Sequence, residues 1–162
     1  MRNENKNREV EIIYIYNYPR AVVFNAWTNA DFLKEWFALN GCIIDYKKLD
    51  IKEGGSYHSC IHNPEFGDCW CIGVYKVVKK PELIVYTAIN ADEEGNPIDP
   101  VSIGMDPDWP GETEVRVTFT EDGGKTVVKL TQNVPESVAK RTGAHPSWVQ
   151  MLERLDKQLS IK

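Results

Sequence analysis

What the chain lacks narrows the field first. No apolar run approaches the roughly 18 residues of a membrane-crossing helix, so no span is expected. The N-terminus, MRNENKNR, has no apolar core and reads as a tail over residues 1–8, with a single domain over 9–162. Four cysteines in 162 residues, without a leader, fit reduced thiols of a cytoplasmic protein and not a disulfide scaffold. Clustered positive charge is missing too. With 19 basic and 24 acidic residues, and the basic ones interspersed, the net charge of −5 argues against nucleic acid as a partner. The sequence contains no G-x-S-x-G elbow, no P-loop, no dinucleotide fingerprint and no H-E-x-x-H helix, and no cofactor is expected. Internal repeats and low-complexity segments are also absent.

What is present is a globular composition, 42% apolar and 10% aromatic, on a chain long enough to bury a core. The last stretch carries the clearest pattern. Trp148, Met151, Leu152, Leu155 and Leu159 recur on one helical stripe, opposite Gln150, Glu153, Arg154, Asp156 and Lys157. Pro146 and Gly143 predict a kink or restart of this helix near His145. Residues 9–17, EVEIIYIYN, read as a strand. Two short helices follow, the first entered by Pro19 and the second, ADFLKEWF, capped by Thr28 or Asn29. Six more strands occupy the region from Cys42 to Asn133, the last two joined through Asp122-Gly123-Gly124. Residues 90–111 carry four prolines and three glycines, which exclude regular structure, yet they include Ile98, Val101, Ile103, Met105 and Trp109. They read as an ordered flap.

This order of elements resembles the START-like helix-grip fold of the SRPBCC superfamily. Within it the chain resembles the family of the heat-shock protein 90 ATPase activator homologues, close to the CalC-type branch. The carrying residues include Pro19 with Val23-Phe24-x-Ala26-Trp27-Thr28, Leu33-x-x-Trp36-Phe37, Gly54-Gly55-x-Tyr57 and Gly73-x-Tyr75. Trp109-Pro110-x-Glu112, Val134-Pro135-Glu136-Ser137 and Ser147-Trp148-x-x-Met151-Leu152 continue the match. The resemblance implies an α+β fold, a seven-stranded antiparallel sheet with two short helices and a long C-terminal helix. It also implies a cavity between sheet and helix that holds a small apolar or aromatic molecule, with residues 90–111 as its lid. Trp36, Tyr57, Tyr86, Met105, Trp109, Trp148 and Met151 are the candidate lining residues. Leu155 and Leu159 are assigned to packing. The family name supplies an alternative, a chaperone ATPase regulator, and the protein would act as a monomer or weak homodimer. A third reading is a cyclase- or hydrolase-like enzyme, which needs Tyr57, Tyr86 or His145 deep in the cavity; no catalytic residue is assigned.

One feature lies outside that family pattern. In SYHSCIH the residues His58, Cys60 and His62 alternate onto one strand face. With NPEFGD as the hairpin loop, His62 pairs with Cys69 and Cys60 with Cys71, which makes His58, Cys60, His62, Cys69 and Cys71 a candidate metal set. Against it, a flat sheet face does not converge its side chains, and the spacing matches no zinc pattern. The reading adopted is small half-buried thiols beside surface histidines, without a metal. The companion expectation puts Tyr57, Ser59 and Ile61 with Trp70, Ile72 and Val74 on the other face.

Overall fold

The structure, a computed structural model, describes residues 8–161. The expected tail over residues 1–8 lies outside them except for Arg8, whose carbonyl accepts a hydrogen bond from the Glu136 N–H at 2.8 Å. The chain runs β1 (Glu9–Tyr16), α1 (Arg20–Thr28), α2 (Ala30–Trp36), β2 (Ile43–Leu49), β3 (Ser56–Asn63), β4 (Gly67–Lys79) and β5 (Leu83–Ala91). A short 3₁₀ helix (Pro100–Ile103), β6 (Glu112–Asp122), β7 (Lys125–Pro135), α3 (Glu136–Thr142) and α4 (Ala144–Ser160) complete it.

All seven strands join one antiparallel sheet in the order β1-β7-β6-β5-β4-β3-β2. The helix-grip architecture is therefore as expected. In β7 the alternation is regular: Thr126, Val128, Leu130, Gln132 and Val134 point inward and are buried. Helix α4 lies across that inner face, and its stripe from Trp148 to Leu159 is buried along its length. Each such side chain contributes roughly 1.5–3 kcal/mol of hydrophobic stabilisation. The Tyr16 hydroxyl on β1 donates to the Leu152 carbonyl at 2.8 Å and ties helix to sheet.

Local chemistry explains the boundaries. Asn29 caps α2 by accepting from the Phe32 N–H at 3.0 Å. Gly143, at φ +87°, ends α3 in the left-handed region and starts α4, so the break falls two residues before the expected position at His145. Pro146 then sits in the first turn of α4, where a missing N–H costs nothing.

Two expectations are corrected here. Residues 90–111 are not wholly irregular: Asp99 accepts from the Val101 N–H at 3.1 Å and starts the 3₁₀ helix, with Pro100 at its first position. The β3–β4 register also differs by one residue. Asn63 pairs with Gly67 across a three-residue loop, so His62 faces Asp68, Cys60 faces Trp70 and Ser59 faces Cys71. The Asn63 side chain accepts from the N–H groups of Glu65 and Phe66, and Gly67 takes φ +88°, a tight turn that a six-residue reading of NPEFGD misses. A one-residue slip turns every side chain of a strand to the opposite face. Cys69 and Cys71 therefore share the inner face with Tyr57, Ser59 and Ile61, while Trp70, Ile72, His58, Cys60 and His62 lie outside. The five-residue metal set is thereby dissolved, with Cys60 on one face of the sheet and Cys69 and Cys71 on the other.

Candidate functional site

Between the inner face of the sheet and α4 lies a cavity of about 160 Å³. Its helical walls are Trp27 and Leu33 from the two short helices, Phe37 just beyond them, and Trp148 and Met151 from α4. Its floor is made by inward positions of successive strands: Ile44 and Tyr46 on β2, Tyr57, Ser59 and Ile61 on β3. Cys71 and Tyr75 on β4, Tyr86 and Ala88 on β5, Val115 on β6 and Gln132 on β7 close it. No carboxylate, lysine, arginine or histidine is among these residues.

The polar groups on the wall are held in specific ways. Tyr57 donates its hydroxyl to the Thr87 carbonyl at 2.8 Å, and its ring crosses over Gly73. A Cβ at Gly73 would stand 1.9 Å from the Thr87 carbonyl oxygen and 2.5 Å from the Tyr57 ring, so only glycine permits this crossing. The Trp148 indole donates to Gln132 Oε1 at 2.9 Å, and Gln132 Nε2 donates to Thr113 Oγ1 at 3.3 Å. Trp148 is thereby oriented by a buried polar relay, and Phe37 packs edge-on against it at 5.9 Å. Tyr57, Tyr75 and Tyr86 form a mutual ring cluster with centroids 5.8–6.2 Å apart.

Two side-chain atoms of wall residues have no such partner among the described residues: Trp27 Nε1 and the Tyr86 hydroxyl, both shielded from solvent. Burial raises Tyr57 and Tyr86 well above the ordinary phenol value, and burial chiefly pushes the Cys71 thiol up to about 11. The wall is thus neutral at physiological pH. The Tyr57 proton is committed to the Thr87 carbonyl, the Tyr86 hydroxyl keeps its proton for donation, and neither phenol can serve as a general base.

A second, more open groove of about 840 Å³ lies at the end of this cavity. Ala38, Cys42, Cys69, Ile98, Ile103 and Met105 rim it, and Ile61 and Met151 line both spaces. These two side chains stand where the two spaces adjoin. The flap over the groove is fastened to α3. Arg141 makes a fork onto Asp106, at 2.8 and 3.0 Å, and reaches Asp108 at 3.1 Å. Asp106 also caps its own turn by accepting from the Asp108 N–H at 2.9 Å.

Of the lining candidates from the sequence, Tyr57, Tyr86, Trp148 and Met151 stand on the cavity wall, and Met105 lies in the outer groove. Trp36 does not reach the cavity. Its ring is fully buried behind Trp27, centroids 4.8 Å apart, and its indole donates to the Ala26 carbonyl at 2.9 Å. Trp109 packs against the core from the flap without lining either space. His145 is likewise on neither wall, which removes it as a cavity base. Gln132 was missed. Its signal was a polar residue at an inward position of an otherwise apolar alternation, Val128, Leu130, Gln132, Val134.

A family model described as "Activator of Hsp90 ATPase homolog 1-like protein" matches residues 17–160. No curated protein matches the chain. Among solved structures, a protein from Arthrobacter aurescens is 15% identical with a TM-score of 0.81, over 98% of this chain and 89% of that one. A Staphylococcus epidermidis protein is 24% identical with a TM-score of 0.74, over 94% and 91%. The AHSA1 protein from Silicibacter pomeroyi is 15% identical with a TM-score of 0.73, over 95% and 99%. At these identities the likeness is one of fold. Among the described residues no helix is long and apolar enough to cross a membrane.

Proposed function

Since the chain belongs to the Activator of Hsp90 ATPase homolog 1-like family, we propose that it binds a small, uncharged, mostly apolar molecule carrying an acceptor oxygen, held between sheet and α4. The observation that carries this is a pair of buried groups without a partner among the described residues, Trp27 Nε1 and the Tyr86 hydroxyl, on two residues of a mostly apolar wall. Unmet buried donors are rare because each costs about 1–3 kcal/mol. The indole can only donate, so it selects an acceptor such as a carbonyl or hydroxyl oxygen. A neutral wall rejects ions, because nothing on it offsets the desolvation of a charge. The volume is close to that of the cavity of about 150 Å³ known to hold benzene, which suits a one-ring ligand.

The test compares three probes of similar shape: acetophenone, ethylbenzene and benzoate. Acetophenone should bind about fivefold more tightly than ethylbenzene, the worth of one net hydrogen bond near 1 kcal/mol. Benzoate should not bind. Quenching of tryptophan emission and a rise in melting temperature are the readouts, and Trp27→Phe should erase the preference for the ketone. If all three leave both readouts unmoved, or benzoate matches acetophenone, the reading fails. The chaperone-regulator alternative has its own assay, stimulation of the ninety-kilodalton chaperone's ATPase, in which no increase is expected.

A further inference from the structure

The outer face of the β2–β3–β4 edge, on the far side of the sheet from the cavity, carries a second constellation. The β3–β4 register that dissolves the five-residue cysteine–histidine set brings Asp68 opposite His62, and the β2–β3 register brings Asp45 opposite Cys60. His62 Nδ1 stands 2.8 Å from Asp68 Oδ1 and 3.8 Å from Cys60 Sγ, and one donor atom from each of the three residues lies within 4.8 Å of the others. The opposite ring nitrogen, Nε2, is 3.2 Å from Asp45 Oδ2.

We propose that Cys60, His62 and Asp68 form a three-ligand zinc site, with Asp45 as the positioning residue for the His62 ring. Zinc accepts sulfur, imidazole nitrogen and carboxylate oxygen together, whereas calcium and magnesium require oxygen throughout. Bond lengths of 2.0–2.3 Å around a tetrahedral ion set its donors about 3.3–3.8 Å apart. The Cys60–His62 separation is already near that value, and the exposed Asp68 side chain needs only a small rotation. An Asp45 carboxylate on Nε2 fixes the tautomer that leaves the Nδ1 lone pair for the ion, the outer-sphere arrangement that metal-bound histidines share. One thiolate and one carboxylate cancel the charge of the dication, and the exposed Asp68 side leaves a fourth position for water. A histidine merely paired with two surface carboxylates contributes little and would have no use for Cys60. The site bridges β3 and β4 beside their three-residue turn. Asn63, Gly67 and Asp68 belong also to the rim of the outer groove, so the ion would brace its mouth.

Cobalt(II) titration of the full chain with reduced thiols tests this. A thiolate-to-cobalt charge-transfer band should appear at one equivalent and be displaced by zinc. Cys60→Ser should abolish it, and Cys69→Ser, on the opposite sheet face, should keep it. Asp68→Asn should weaken zinc binding at least about tenfold, and Asp45→Asn about tenfold through the histidine. Because Asp68 is exposed, its variant stays folded even where the buried Cys60 change does not. No band, a band that survives Cys60→Ser, or unchanged affinity in Asp68→Asn overturns the proposal.

Discussion

At the scale of single residues, the cavity carries groups that work against stability. Tyr86→Phe removes a buried hydroxyl without a partner among the described residues, so it should leave the protein equally stable or stabilise it by about 1 kcal/mol. Chemical denaturation measures this; a loss of more than about 1 kcal/mol would reveal a partner for the hydroxyl. Gly73→Ala works in the opposite direction. Its new methyl meets the Thr87 carbonyl and the Tyr57 ring, and overpacking of this kind costs about 1–3 kcal/mol or more. The melting temperature should fall and the Tyr57–Thr87 hydrogen bond should be lost. How far single residues were legible follows from the same chemistry. Tyr57, Tyr86, Trp148 and Met151 could be placed because aromatic and helical stripes mark inward faces. Trp36 could not be separated from Trp27, since which of two adjacent indoles meets the cavity depends on how α1 and α2 dock. Asp68 stayed hidden because the turn at Asn63 decides the register, and a side chain bonding its own turn leaves no trace in hydrophobic periodicity.

At the scale of elements, α4 divides into two functions along its length. Leu155 is completely buried against the sheet, so Leu155→Ala should destabilise the fold by about 2–5 kcal/mol. Met151→Ala borders existing empty space and should cost less, a difference that parallel denaturation curves would expose. One guanidinium, that of Arg141, ties the flap to α3. Asp106 is held below its ordinary 3.8, first by the hydrogen bonds from Arg141 and then by the Asp108 N–H. A depressed carboxyl favours the fastened state above its unfolded value and loses that contribution as pH falls through the folded one. The flap should therefore stay protected at pH 5 and open only below pH 3.8. Hydrogen exchange over residues 92–110 reports it, and Arg141→Ala should show the acid pattern already at neutral pH. Elements were the most legible scale: seven strands, two short helices and the long final helix each have a period of their own. The 3₁₀ helix at Pro100–Ile103 was not, because four residues of helix need only an Asp cap and a proline, which also serve turns.

At the scale of the whole molecule, the two faces of the sheet carry different chemistry. The inner face holds a neutral aromatic wall and the outer edge a group of thiol, imidazole and carboxylate. A zinc effect and a ligand effect on melting temperature should consequently add, because Cys60 and the cavity lie on opposite faces without a shared side chain. Additive shifts in a combined titration are the expected result, and strong cooperativity would point to coupling through Ile61 or Cys69. Ile61 and Met151 line both the groove and the cavity, so a molecule passing from one space to the other must move past them. Methionine has three freely rotating bonds and isoleucine is stiff at its branch, which makes Met151 the moving part. Residence time would then be set by a single side-chain rotation: a rigid Met151→Ile side chain should slow entry and escape together and leave the equilibrium occupancy nearly unchanged.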